Sequence, residues 1–205
     1  NGVDAVAHHP AVGDERARAR AGLGLSPDAV VLATVASLKG AKRIDLFLRA
    51  AAPVLQRHEP AHVLLVGDGP DRGTLETLAR ELGLEGRVTF AGVRDDVANV
   101  LRACDVLVLS SRVGTETFPN VVLEAMATGL PVITTDVGSV REMVEDGRSA
   151  LVVPVEDEAA LREAIERLVG DAGLRSAFGA RGRAIVDARF RVETMCAARE
   201  SLFEE

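Results

Sequence analysis

Two glutamates, Glu116 and Glu124, stand in a segment whose composition suits a ligand site. From the first of them the chain reads E-T-F-P-N-V-V-L-E-A-M-A-T-G-L-P. Pro119 suits the first turn of a helix and Gly129 the position after its end, so we predict a helix over residues 119–128. This helix is apolar nearly all round, which indicates burial, and a buried carboxylate such as that of Glu124 needs a partner.

Glu124 allows two interpretations. In the first it pairs with a structural arginine such as Arg141 or Arg112. In the second it accepts hydrogen bonds from the hydroxyls of a ribose, while Glu116, on the loop just before the helix, meets the sugar of a donor. Asn120 lies one turn before Glu124, so these two polar side chains share one helix face.

The common nucleotide-binding fingerprints are absent or incomplete. The P-loop pattern G-x-x-x-x-G-K-[ST] does not occur. Gly67-Asp68-Gly69 lacks the third glycine of G-x-G-x-x-G, and Arg87 stands about twenty residues on, where an NAD site has an acid. A dinucleotide-dependent oxidoreductase is therefore disfavoured, and residues 67–70 alone predict a strand-to-helix turn.

Strand-like and helix-like segments alternate along the whole chain. The fold that these segments form must position the candidate ligand-binding residues. Strands are predicted at 30–36, 62–66, 87–90, 105–109, 132–135 and 150–153, and helices at 42–57, 71–82, 95–103, 119–128, 140–145, 158–169, 173–188 and 192–204. We predict an α/β fold, a Rossmann-like doubly wound parallel sheet of about six strands with helices on both faces, as one domain over residues 1–205. Ligands of such sheets bind beyond the carboxyl ends of the strands.

Composition narrows the function classes. Of the 205 residues 47% are hydrophobic and 27% charged, with a net charge of -7. These values are typical of a globular protein and argue against non-specific nucleic-acid binding. The two cysteines form no C-x-x-C pair and no apolar run reaches about 18 residues, so we expect a cytoplasmic protein without a membrane span. Arg16, Arg18 and Arg20, which alternate with alanines and follow Asp14 and Glu15, predict a solvated helix.

Seven short motifs, in order along the chain, resemble those of retaining family 4 glycosyltransferases of GT-B fold. The segment Glu116-x₇-Glu124 resembles the signature of that family. The other matches are N-G-V-D at 1–4, K-R-I-D at 42–45 for K-G-x-D, V-G-D-G-P at 66–70, R-V-T-F-A-G at 87–92, A-C-D-V at 103–106 and D-V-G-S at 136–139 for D-x-G-G. The resemblance implies the C-terminal, donor-binding half of such an enzyme, with the N-terminal acceptor domain absent from this chain.

The resemblance also implies a site. The diphosphate of the donor would lie at the amino end of the helix over 119–128, with Lys42 as its cation, and Glu124 would hold the ribose. Glu116 and the backbone N–H groups of residues 118–120 would contact the transferred sugar. The implied residues are Glu116 as the catalytic residue and Lys42, Arg43, Gly67, Gly69, Val93, Arg94, Phe118, Pro119, Asn120, Val121 and Glu124 as donor-binding residues, without a metal ion. Among these, Val93 and Arg94 would lie near the base, and the glycines would keep the floor of the cleft clear.

Two positions depart from the family pattern. Ser37 stands where members often carry an arginine, and Lys39 or Arg43 could replace that cation. Thr117 stands where glycine is usual, and it could narrow the sugar pocket or cap the helix.

What the resemblance implies for function is transfer of a hexose from a nucleoside-diphosphate sugar, UDP- or GDP-linked, with retention and without a cofactor. A glycan, lipid or small-molecule acceptor would bind through the missing domain, which could also hold the enzyme at a membrane. We expect the 205 residues alone to bind donor weakly and to transfer little. Two alternatives stay open: a stand-alone sugar-nucleotide-binding or regulatory module with a partner chain, and a sugar-nucleotide 2-epimerase.

Overall fold

Six parallel strands form one sheet in the computed structural model, which describes residues 1–201, with side chains through residue 196. The sheet order is β3-β2-β1-β4-β5-β6. The strands are β1 Val30–Val35, β2 Ala61–Val66, β3 Val88–Gly92, β4 Val106–Leu109, β5 Val132–Thr135 and β6 Ala150–Val153. Central β1 pairs with β2 from Val30 opposite Ala61, and with β4 from Leu32 opposite Val106. This is the strand order of the doubly wound Rossmann architecture, so the predicted fold class is confirmed.

Helices connect the successive strands, and further helices precede the first strand and follow the last. They are α1 Glu15–Gly22, α2 Ile44–Arg57, α3 Arg72–Glu81, α4 Val97–Ala103, α5 Asn120–Ala127, α6 Val140–Met143, α7 Glu158–Gly170, α8 Ala172–Arg189 and α9 Val192–Ser201, with a 3₁₀ turn over Gly40–Lys42. The predicted helix over 42–57 begins at Ile44 instead, because Arg43 has a left-handed backbone at φ 48°. The last residues of the predicted helix over 192–204 lie outside the described residues.

Two apolar layers, one on each face of the sheet, hold the domain together. Helices α2, α3 and α7 cover one face, while α4, α5 and α8 cover the other. Within β1, Leu32 belongs to the first layer and Val31 to the second, and both are fully buried. Burying one such side chain stabilises the fold by about 1.5–3 kcal/mol. None of the described helices is long and apolar enough to cross a lipid bilayer.

Helix α1 is solvated, as its charges predict, except at Arg20. The side chain of Arg20 is only 4% exposed, and its Nη2 donates to Asp105 Oδ2 at 2.8 Å. Arg16 Nη2 donates to Asp105 Oδ1 at 2.6 Å. The prediction is wrong for Arg20, because Asp105, distant in sequence, supplies the partner that lets this arginine be buried, whereas Arg16 and Arg18 are 38% and 70% exposed. The cluster lies at the amino end of β4.

Candidate active site

The carboxyl ends of β1 and β4 mark the point where the chain changes from one face of the sheet to the other. The strand β1 leads into α2, which packs in the first layer, whereas β4 leads into α5 in the second layer. Loops that leave neighbouring strands toward opposite faces open a crevice between them. The residues that follow these two strands are therefore the ones placed to meet a ligand.

Lys42 and Glu116 meet at this point. Lys42 Nζ donates to Glu116 Oε1, and Ser111 Oγ donates to the same oxygen at 2.8 Å. The side chains of Lys42 and Glu116 are 17% and 12% exposed. The structure thus brings the predicted phosphate-binding cation and the predicted catalytic carboxylate into one ion pair. Sequence reasoning did not predict this pair or the hydroxyl of Ser111, since 74 residues separate the two charges.

The loop that carries Glu116 rests on the turn after β5. A Cβ at Gly138 would lie 2.6 Å from the carbonyl oxygens of Glu116 and Thr117, so only glycine fits there. Ser139 N donates to Thr117 O at 3.0 Å, and Thr135 Oγ1 donates to Ser111 O at 2.8 Å. Gly138 and Ser139 therefore support the backbone of the loop that carries Glu116. Thr117 does not cap α5, because Pro119 is the N-cap and no side chain accepts there.

The amino end of α5 offers unpaired backbone donors. Within the part of the chain that the structure describes, the N–H groups of Asn120 and Val121 have no backbone acceptor. Such groups, together with the helix dipole, favour an anion. Pro119 has no N–H, so of the three predicted backbone donors only Phe118 and Asn120 can serve. Asn120 Oδ1 accepts from Asn1 Nδ2 at 3.0 Å, which ties the first residue to this helix.

Glu124 lies one turn along α5 and is half-buried. Among the described residues no hydrogen-bond donor or cation contacts its carboxylate, and burial raises its pKa. Arg141 binds Asp136 at 2.9 Å and Arg112 binds Glu156 at 2.9 Å, so the interpretation of Glu124 as the partner of either arginine is wrong. A cavity of about 210 Å³ opens at the carboxylate, and it is lined by Gly2, Val3, Asp4, His8, Asn120 and Glu124.

Gly67 and Gly69 are required by backbone packing. A Cβ on Gly67 would lie 2.0 Å from Ala36 O, and one on Gly69 would lie 2.3 Å from Leu38 O. The turn after β2 therefore touches the turn after β1 directly, which places the segment leading to Lys42. That these glycines also clear the floor of a ligand cleft stays a prediction.

Val93 and Arg94 lie apart from the ion pair of Lys42 and Glu116. They follow β3, which is three strands from β4, or about 14 Å at the usual strand spacing. Val93 is exposed, and Arg94 donates to both carboxylate oxygens of Asp96 at 2.8 Å. This hydrogen-bonded pair raises the pKa of Arg94 and lowers that of Asp96. That Val93 and Arg94 contact the base of the nucleotide stays a prediction.

Arg43 has an unusual backbone and an occupied side chain. Its φ of 48° costs a non-glycine residue about 1–2 kcal/mol. Its guanidinium binds both oxygens of Asp45, at 3.0 and 3.1 Å, and also contacts Glu156. Lys39, in contrast, is exposed and makes no ion pair with the described residues. Lys39 is therefore available to replace the arginine that is missing at position 37. Arg43 could replace it only by breaking its contacts with Asp45 and Glu156.

Among the described residues no group of three or more His, Cys, Asp or Glu could hold a metal ion. The charged groups at the switch point form ion pairs. What they can offer a ligand is a cation, a carboxylate and backbone N–H groups.

Comparison with known proteins decides the family. The family model described as "Glycosyl transferases group 1" matches residues 29–171, which include every strand and the loops of the site. The chain belongs to this family. N-acetyl-alpha-D-glucosaminyl L-malate synthase of Bacillus anthracis is 33% identical over 180 residues, covering 88% of this chain and 46% of that protein. D-inositol 3-phosphate glycosyltransferase of Stackebrandtia nassauensis is 37% identical, covering 87% and 42%.

Solved structures support the same assignment. Anabaena Alr3699/HepE in complex with UDP superposes with a TM-score of 0.90 at 26% identity, covering 100% of this chain and 56% of that chain. The C-terminal domain of a group 1 glycosyl transferase from Francisella tularensis has a TM-score of 0.82 at 23% identity, which shows the shared fold alone, and covers 93% of this chain and 100% of that chain. The resemblance to GT-B glycosyltransferases is confirmed. The chain spans less than half the length of the two curated relatives and 56% of the HepE chain.

Proposed function

We propose that this chain is the donor-binding domain of a retaining hexosyltransferase that uses a nucleoside-diphosphate hexose, with UDP or GDP as the leaving group. Another domain, absent from this chain, would bind the acceptor, a glycan, a lipid or a small molecule. The enzyme would act in the cytoplasm without a cofactor or a resident metal ion. A relative named as a D-inositol 3-phosphate glycosyltransferase, and a structural neighbour solved with UDP, support the proposal.

The observation that carries the proposal is the ion pair of Lys42 and Glu116 at the switch point of the sheet. Glu116 stands four residues before Asn120, where α5 begins with unpaired backbone donors. A diphosphate fits this combination, because a lysine and a helix amino end both stabilise its charge. As the bond between the sugar and the phosphate breaks, the same groups would stabilise the charge that develops on the leaving diphosphate.

The two glutamates would divide the donor between them. Glu116 would accept hydrogen bonds from hydroxyls of the hexose, beside the backbone N–H groups of Phe118 and Asn120. Glu124 would accept hydrogen bonds from the ribose, because its carboxylate is half-buried and opens on a cavity of about 210 Å³. Val121 would contribute an N–H at the diphosphate, and the base would lie toward Val93 and Arg94.

Ligand binding to the chain itself tests this proposal. We expect UDP or GDP to raise the melting temperature, because a ligand at 100 times its Kd adds about 2.7 kcal/mol of stability. Titration calorimetry should then show a loss of about ten- to a hundredfold in affinity for Glu124→Ala, the effect of a hydrogen bond to a charged group. The 2′,3′-dideoxy nucleotide should bind the unmodified chain with a similar deficit. The variant should no longer distinguish the two nucleotides, and continued discrimination would contradict the ribose role.

Product analysis tests the reaction. A longer protein that contains this domain should form an α-linked product from an α-linked donor, seen in the anomeric proton coupling by NMR. Inversion at C2 of the sugar nucleotide would instead identify a 2-epimerase. Nucleotide-sugar binding without transfer, in a protein that has no further domain, would identify a stand-alone module.

A further inference from the structure

Two residues, Arg43 and Glu156, have left-handed backbones although neither is glycine. Their φ angles are 48° and 64°, and no other non-glycine residue among those described has a positive φ. Glycine would adopt either conformation without strain. Strained residues of this kind persist only where the surrounding structure fixes them, and they concentrate at functional sites.

The two strained residues form an ion pair with each other. Arg43 Nη1 contacts Glu156 Oε2, and Arg112 Nε donates to the other oxygen, Oε1, at 2.9 Å. Arg43 also binds Asp45, and its side chain is 14% exposed. Glycine at either strained position would remove the strain together with the ion pair. The strained backbone conformations therefore serve to place the charged side chains of Arg43 and Glu156.

The ion pair joins loops from distant strands. Arg43 follows β1, Arg112 follows β4 and Glu156 follows β6. Strands β1 and β6 are three spacings apart in the sheet, about 14 Å. Glu156 therefore links three loops at the carboxyl edge, on the side where Lys42 and Glu116 meet.

These contacts fix the position of Lys42. This residue precedes Arg43 directly, and Ser110 Oγ donates to the carbonyl oxygens of both residues, at 2.8 and 3.0 Å. Arg112 N donates to Ala41 O at 2.9 Å. The turn over 40–43 is thereby attached to the loop after β4 by its backbone and to the loop after β6 by the side chain of Arg43.

We propose that Glu156 is a positioning residue for Lys42. By holding Arg43 and Arg112, it fixes the turn over 40–43 at the place where the Lys42 ammonium meets the diphosphate of the donor, without itself contacting the donor. This inference rests on the proposed donor-binding function. It assigns Arg43 a positioning role in place of the predicted donor contact.

The direction in which Glu156→Gln changes the affinity for UDP distinguishes a positioning role from an electrostatic effect. Glu156→Gln removes a negative charge near the site and releases two arginines, so electrostatic attraction alone predicts tighter binding of UDP. Positioning predicts weaker binding. By calorimetry we expect about a fivefold weaker Kd for UDP, roughly 1 kcal/mol, with the Kd of uridine unchanged because uridine has no phosphate for Lys42.

Arg43→Gln and the double variant complete the test. If the two residues act through their pair, the double variant should be no weaker for UDP than the weaker single variant. Asp136→Asn is the matched control, because it removes a carboxylate from the neighbouring loop after β5, where the Asp136 side chain binds the exposed Arg141 and no other residue among those described. It should leave the Kd of UDP unchanged or slightly tighter.

Unchanged or tighter UDP binding by Glu156→Gln would overturn the positioning role, as would an equal loss for UDP and uridine. Lys42→Ala separates this failure from that of the proposed function. If Lys42→Ala weakens UDP binding while Glu156→Gln does not, only the positioning role fails. If the unmodified chain does not bind UDP or GDP, the proposed function fails and this inference with it.

Discussion

Strand β4 has a charged cluster at each end, and the two clusters use hydrogen bonds differently. At its amino end Asp105 accepts from Arg16, Arg20 and Val31 N, at 2.6, 2.8 and 2.8 Å. The two arginines also donate to backbone carbonyls, including Ala103 O at 3.1 Å and Cys104 O at 2.7 Å. At its carboxyl end the side chains of Lys42 and Glu116 are 17% and 12% exposed, and among the described residues Lys42 Nζ has a single acceptor.

This difference in unused hydrogen-bond capacity distinguishes scaffold from site. An ammonium has three donors and a carboxylate about four acceptor positions. Most of the capacity of the Asp105 cluster is used within the protein, as expected of groups that stabilise the fold. The pair of Lys42 and Glu116 keeps capacity for a ligand. Glu124 is the extreme case, because its carboxylate has no described partner.

The largest effect is expected at the scaffold cluster. Asp105→Asn leaves Arg20 buried without its counter-charge, and loss of one partner from a buried pair costs about 3–5 kcal/mol. We expect a loss of about 3 kcal/mol in the free energy of unfolding, measured by urea denaturation, because Arg16 is partly exposed. Affinity of the folded protein for UDP should not change.

Asp14→Asn is the control for this prediction. Asp14 and Arg18 form a pair at 2.9 Å whose side chains are 70% and 71% exposed, so its loss should cost less than about 1 kcal/mol. Equal losses for Asp14→Asn and Asp105→Asn would show that the cluster at the amino end has no special role in stability.

The next largest effect is expected at Glu116, in the longer enzyme that we propose. Glu116→Gln should lower the turnover of a nucleotide hexose about a hundredfold, as for other groups that contact the reacting centre. The affinity for UDP should stay the same or rise, because Lys42 loses its competing carboxylate. Steady-state kinetics and calorimetry measure the two quantities. A loss of UDP affinity that matches the loss of turnover would place Glu116 at the nucleotide instead.

Lys42→Ala should have a smaller effect, on binding of the diphosphate. We expect about tenfold weaker UDP binding, near 1.5 kcal/mol, the lower range for a hydrogen bond to a charged group. Uridine affinity should be unchanged in calorimetry. Lys39→Ala on the same loop is the matched control, since Lys39 is also a cation but is exposed and unpaired among the described residues. If Lys39→Ala weakens UDP binding more, then Lys39 is the cation that replaces the arginine missing at Ser37.

Sequence patterns predicted the fold well because they are local. The β-branched run of β1 and the Pro119 to Gly129 spacing around α5 each fixed an element to within one residue. The pairing of charges was not predictable in this way. Arg20 and Asp105 are 85 residues apart, so the charges of α1 alone indicated solvent exposure. Likewise, nothing local in the sequence indicates that Arg43 and Glu156 adopt left-handed backbones and face each other.

The candidate site was likewise predicted only in part from the sequence. The glutamates and Lys42 were found from motifs, and the structure brings Lys42 and Glu116 together. The groups that hold them were missed, namely Ser111, Gly138 and Glu156. Only Gly138 had a sequence signal, its place in the motif at 136–139, and its role required the carbonyl oxygens of the opposite loop to be seen 2.6 Å from a Cβ.

The smallest expected effect is also the one that separates binding from stability most directly. Burial raises the pKa of Glu124 above its usual value of 4.5. The folded protein then holds this proton more tightly than the unfolded chain does. Stability is therefore lost as the pH rises from about 4.5 through the raised pKa, and at neutral pH the buried charge is a cost. Glutamine at this position has no charge to bury.

Glu124→Gln should therefore stabilise the ligand-free protein at pH 7 by about 0.5 kcal/mol, the low end of the range for stabilising substitutions. The advantage should shrink as the pH falls toward 4, where the native carboxyl becomes protonated. The same variant should bind UDP more weakly than the unmodified chain. Urea denaturation across this pH range measures the first effect, and Glu163→Gln, an exposed carboxylate on α7, is the control. A scaffold carboxylate such as Asp105 gives the opposite result at neutral pH, a loss of stability. If Glu124→Gln is destabilising at pH 7, then Glu124 is held by the protein and is not kept free for a ligand.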